Sequence, residues 1–114
     1  MTQQAQPQAA QMPTLPTTGV FVLLNAKPGV TRDQVMAIMP AEIRATVKLY
    51  LEGKIRDWHA RADGKGAVFL LNAAEVAEAR SIMEALPLAK EDLMDHEYIA
   101  VGPLMPLRLL LVSQ

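Results

Sequence analysis

Residues 19–25, GVFVLLN, and residues 67–72, AVFLLN, decide how this chain folds. Each is short, apolar at consecutive positions and partly β-branched. The first is closed by the turn signal Lys27-Pro28-Gly29, and the second follows the reversal Asp63-Gly64-Lys65-Gly66, so both read as central strands. An antiparallel strand with one wet face alternates apolar and polar residues, and neither run alternates. Both faces of these two strands are therefore expected to be dry.

Thr31-Arg32-Asp33-Gln34 follows the first run as a capping box, with Val30 and Val35 at hydrophobic-staple spacing, so a helix is expected from Thr31. Its apolar stripe is read as Val35, Met36, Met39, Ile43, Val47 and Tyr50. Pro40 is expected to kink it or restart it, and Gly53 to end it. Residues 54–62, KIRDWHARA, have strand character and pair with 67–72 as a hairpin. Asn72-Ala73-Ala74-Glu75 repeats the capping-box pattern, and Leu71 and Val76 repeat the staple. The second helix carries Val76, Ala79, Ile82, Met83 and Leu86 on one face until Pro87 stops it. After a turn over 88–93, a last strand is expected over 95–101, closed by Gly102-Pro103.

The order strand, helix, strand, strand, helix, strand is a duplicated βαβ unit. It predicts an α+β domain of ferredoxin-like βαββαβ type, with a four-stranded antiparallel sheet and both helices on one face. Two helices cover one face of two-sided strands, so the other requires a further protein surface. The simplest cover is the same sheet of a second copy, making a homodimer or higher even oligomer with an eight-stranded sandwich or barrel. The alternative is that the apolar segment PLMPLRLLLV, residues 103–112, folds back over that face; the same segment could cross to the partner. The chain thus divides into a disordered Gln/Pro-rich tail (1–18), a domain (19–103) and an apolar extension at the dimer interface (104–114).

With 114 residues there is room for one domain, and 51% apolar with only 4% aromatic residues makes Val, Ile, Leu, Ala and seven Met the packing material. A net charge of −1 without basic runs argues against nucleic acid and anionic membrane as partners. The absence of cysteine removes disulfides, thiolate metal sites and a cysteine nucleophile. Neither a secretory leader nor a membrane span is expected, which points to a cytoplasmic protein. The glycines form no phosphate-binding loop, and two histidines without metal-ligand spacing give little basis for a metal; no cofactor is expected.

Strand period places Ile55, Asp57, His59 and Arg61 on one side of 54–62, with Arg56, Trp58, Ala60 and Ala62 on the other. A carboxylate beside an imidazole can orient it and raise its basicity, and an arginine can hold an anionic substrate. Asp57 and His59 are accordingly candidate catalytic groups, Arg61 a candidate substrate-binding group and Trp58 a pocket wall. A solvated strand face laced with ion pairs is the plain alternative, and Trp58 could equally be core or interface. His96 and Tyr98 share a face of the last strand and are candidate substrate contacts, approached by His59 or Arg61 of a second copy; alternatively His96 and Glu97 simply discourage edge-to-edge aggregation.

The run GKIRDWHARADGKGAVFLLNAAEVAEARSIMEALPL, followed by MDHEYIAVGPLMPL, resembles the muconolactone isomerase-like and YciI-like proteins of the dimeric α/β-barrel superfamily over residues 19 to about 107. The resemblance implies barrels closed by face-to-face sheet packing and, in the isomerases, cofactor-free proton movement within a small unsaturated lactone acid. It also implies Arg61 as an anion-binding residue. The expected function is therefore a dimeric barrel that isomerises, or moves protons in, a small organic acid or lactone. A non-catalytic ligand-binding barrel and a cofactor-independent oxygenase are the alternatives.

Overall fold

The computed structural model describes residues 16–103. All but the last three residues of the expected tail, and the whole extension 104–114, lie outside the described residues. The elements are β1 (Gly19–Ala26), α1 (Arg32–Leu51), β2 (Ile55–Ala60), β3 (Gly66–Leu71), α2 (Val76–Glu84), α3 (Pro87–Lys90) and β4 (Met94–Val101). The four strands form one antiparallel sheet in the order β2-β3-β1-β4. The fold is thus α+β with the ferredoxin-like strand order, β2 and β4 being its edges.

Local chemistry sets the first helix in place as expected. The Gln34 N–H donates to the Thr31 hydroxyl at 3.2 Å, and the Gln34 side chain accepts from the Thr31 N–H at 2.8 Å. Gly53, at φ +80°, takes the left-handed conformation just past the helix end that its missing side chain permits. Pro40 neither ends nor restarts the element, since α1 is assigned as one helix through it.

Alternation in register sorts the sheet into two faces. Val20, Val22 and Leu24 of β1, Phe69 and Leu71 of β3, Ile55 of β2 and Met94 of β4 are buried with Ala79, Met83, Leu86 and Leu88 from the helical side. Phe21, Leu23, Val68, Leu70 and Ile99 lie on the opposite face, which no described element covers. The two-sided strands read from the sequence therefore have one dry side and one open apolar side.

Three expectations are corrected. The first concerns α1, which turns Val35, Ile38, Met39, Ala45 and Leu49 to the core and leaves Met36, Ile43, Val47 and Tyr50 exposed. The cause is a polar contact on the inner side. Glu42, only 5% exposed, accepts the Leu88 N–H of α3 at 2.9 Å, and the Thr46 hydroxyl donates to the Glu42 carbonyl at 2.7 Å. An N–H in the first turn of a helix has no intrahelical partner, so this carboxylate caps α3 and orients α1.

The second correction is that α2 begins at Val76 with Glu75 as its N-cap and no side-chain capping bond. The Asn72 side chain instead donates to the Gly53 carbonyl at 3.3 Å and accepts from Arg56, and Glu78 accepts the Ala74 N–H at 3.0 Å. The third is that Pro87 opens a further short helix rather than only stopping α2, as its fixed φ and missing donor permit at a first helical position.

Candidate functional site

The edge strand β2 holds the candidate residues, and a register shift between Ile55 and Asp57 decides where they point. The extra residue, Arg56, reverses the alternation. Ile55 therefore enters the core at 1% exposure instead of sharing a side with Asp57. Beyond the bulge, Asp57 lies beside Leu70 and His59 beside Val68, both on the open face, while Trp58 beside Phe69 and Ala60 beside Ala67 lie on the helical face. The Arg56 guanidinium is tied back to the Thr18 carbonyl and the Asn72 side chain.

Three rows of residues consequently cross the open face. The first is Asp57, Leu70, Phe21 and Ile99, and the second is His59, Val68, Leu23 and Glu97. The third begins at Arg61, whose N–H donates to the Gly66 carbonyl at 2.9 Å, and continues through Gly66 and Asn25 to Asp95. The face has an apolar centre, an Asp/His/Arg margin on β2 and an Asp/Glu margin on β4.

His59 Nε2 lies 3.2 Å from Asp57 Oδ1, as the candidate pair requires, with the imidazole 68% exposed. A carboxylate at that distance can hold the ring orientation and stabilise the imidazolium. Arg61 stands one row away, but its guanidinium already donates to the Asn25 side chain and, at 2.5 Å, to Asp63. The Lys65 N–H, with Arg61, holds the Asp63 carboxyl below its ordinary range. Asn25 is a participant that the sequence marked only as a strand end; its role depends on Arg61 reaching back across the hairpin.

Trp58, His96 and Tyr98 are not brought together with His59. They lie on the helical face, so the expected approach of His59 or Arg61 to His96 or Tyr98 across apposed sheets is corrected: the β4 residues on the open face are Asp95, Glu97 and Ile99. Trp58 instead meets Tyr50 of α1 edge-to-face, with ring centroids 4.5 Å apart. His96 and Tyr98 stack at 6.0 Å, and the Arg80 guanidinium of α2 sits 4.6 Å above the Tyr98 ring. Burial pushes the His96 imidazole below its ordinary pKa, against the Glu84 and Asp95 carboxylates, and pushes the Tyr98 phenol up. The Tyr98 hydroxyl is buried without a hydrogen-bond partner.

Among the described residues, no group of three or more His, Asp or Glu is arranged to hold a metal ion, and no helix is long and apolar enough to cross a membrane. No family model matches the chain, and no curated protein matches it.

Proposed function

We propose that two copies of this chain close their open sheet faces on one another and that the enclosed Asp57–His59 pair moves a proton within a small organic acid or lactone, without a cofactor. The observation that carries this reading is the 3.2 Å contact between the two side chains at the margin of an uncovered apolar sheet face. A two-fold axis parallel to the strands would lay β2 of one copy over β4 of the other. His59 would then face the partner's Glu97 and Arg61 the partner's Asp95, so each meets a carboxylate. Leucine, valine and phenylalanine at the centre would exclude water from the pair and strengthen its electrostatics. The resemblance to the muconolactone isomerase-like and YciI-like proteins supports the same assembly and chemistry.

A second reading, a barrel that binds such a ligand without turning it over, is favoured by one observation. The His59 and Asp57 side chains are 68% and 59% exposed in the single chain, a solvated pair rather than the water-excluded one that proton transfer favours. Proton exchange from an unsaturated lactone acid, followed by NMR in deuterated water, separates the two. Loss of about 10²–10⁴-fold in exchange rate on His59→Ala, with unchanged folding, is expected from removing a general base. Binding that persists with no exchange in the native chain supports the second reading, and absence of both binding and exchange refutes the proposal.

A further inference from the structure

Helix α1 has an outer side that the core does not explain. Met36, Pro40, Ile43, Val47 and Tyr50 are separated by four, three, four and three residues, the spacing of a seam that packs against another helix. Met36 is 51% and Ile43 53% exposed, and Val47 and Tyr50 are exposed as well. The inner side is independently occupied by Val35, Ile38, Met39 and Leu49. A helix that is apolar on both sides is buried on both sides in its working state.

The seam does not stand alone. Tyr50 joins it to Trp58 at the sheet edge, where β2 has a neighbour on one side only among the described residues. The Arg61 N–H donates inward to Gly66, so antiparallel alternation turns the main-chain groups of Ala60 and Trp58 outward, away from β3 and in position to continue the sheet. If β2 pairs antiparallel with β2 of a second copy about Trp58, Asp57 falls opposite the second copy's residue 59, a histidine, and His59 opposite an aspartate. In that register the strand sets a carboxylate opposite an imidazole twice.

One axis serves both contacts. Trp58 lies three residues along β2 from its start, about 10 Å at the usual strand rise. Ile43 and Val47 lie eight and four residues back from the end of α1, about 12 and 6 Å at the helical rise. Because α1 and β2 are joined by a tight turn over Glu52–Lys54, a helix running back along β2 would bring the middle of the seam level with Trp58.

We infer that a second copy of this chain docks here, β2 against β2 and α1 antiparallel against α1, about a two-fold axis near Trp58 and Ile43. This surface shares Asp57 and His59 with the margin of the open sheet face but otherwise runs along α1 and the β2 edge, and it goes beyond the proposed function. With both surfaces engaged, the sheet-face contact puts the two β2 edges of that dimer on opposite sides, so each edge can take a further copy and the assembly is open and larger than a dimer.

Light scattering on the full chain tests this together with a cross-link. Ile43→Glu and Val47→Glu change exposed residues and are expected to lower the native mass to that of the sheet-face dimer, and to move the emission of Trp58, the only tryptophan, to the red. Phe21→Glu, on the open sheet face, is expected to lower the mass to that of the dimer held through α1 and β2, and to leave Trp58 emission unchanged. Because the chain has no cysteine, Ile43→Cys provides a single reporter that should form a symmetric disulfide on mild oxidation, whereas Lys90→Cys should not. A mass indifferent to Ile43→Glu, with no Ile43→Cys cross-link, overturns the inference, whatever else covers the seam. If Phe21→Glu still lowers the mass, the sheet-face dimer survives that failure. If Ile43→Glu lowers the mass and Phe21→Glu does not, this surface stands and the proposed barrel falls.

Discussion

Replacing Glu42 separates its two effects on stability. Its carboxylate caps the buried Leu88 N–H at 2.9 Å, and burial in turn pushes the carboxyl above its ordinary pKa, with the Leu88 bond pulling the other way. Glu42→Ala leaves a buried donor without an acceptor, which costs about 1–3 kcal/mol, a large part of the 5–15 kcal/mol typical of a small domain. With a urea m-value of about 1 kcal/mol/M, the midpoint falls by roughly 1–3 M. Glu42→Gln keeps an acceptor oxygen and removes the charge. A carboxyl whose folded pKa is raised contributes stability that is fully present below its unfolded pKa and lost as pH rises through the folded value. The native chain should therefore lose stability relative to Glu42→Gln as the solution goes from about pH 4 to 8, other titrating groups cancelling in the difference. Urea titrations of all three proteins at both ends of that range measure this. A Gln variant that becomes the less stable of the two at pH 8 than at pH 4 would refute the burial argument, and an Ala variant as stable as native would refute the capping role.

Two further perturbations test the sheet and its helical face. A Cβ on Gly66 would lie 1.8 Å from the Leu24 carbonyl oxygen and 2.7 Å from its carbon, both main-chain atoms that cannot swing aside. Gly66→Ala should force β3 from β1 at about 1–3 kcal/mol or more and disturb the row holding Arg61 and Asn25; amide-exchange protection equal to native around Leu24 would contradict this. Tyr98→Phe removes a buried hydroxyl without a partner while keeping the ring beneath Arg80, so thermal unfolding should show an unchanged or raised midpoint. A loss above about 1 kcal/mol would mean that the hydroxyl is bonded in solution.

What the sequence determined by itself is the part governed by near neighbours. Unbroken apolar runs at 20–24 and 67–71 made both faces of the central strands apolar, and the structure places Val20, Val22 and Leu24 inside with Phe21 and Leu23 outside. The capping box at Thr31 uses atoms three residues apart, so it needs no knowledge of the fold. Only the tertiary structure decided which side of α1 faces inward, because both sides are apolar and the choice is made by Glu42 meeting a main-chain donor 46 residues away. It also decided which candidates share a face. One bulged residue, Arg56, reverses the strand period, sends Ile55 into the core and leaves Asp57 and His59 on the opposite side of the sheet from Trp58, His96 and Tyr98. A two-residue period carries no mark of where it slips, since the slip is set by pairing with β3 and by the atoms that hold Arg56 aside.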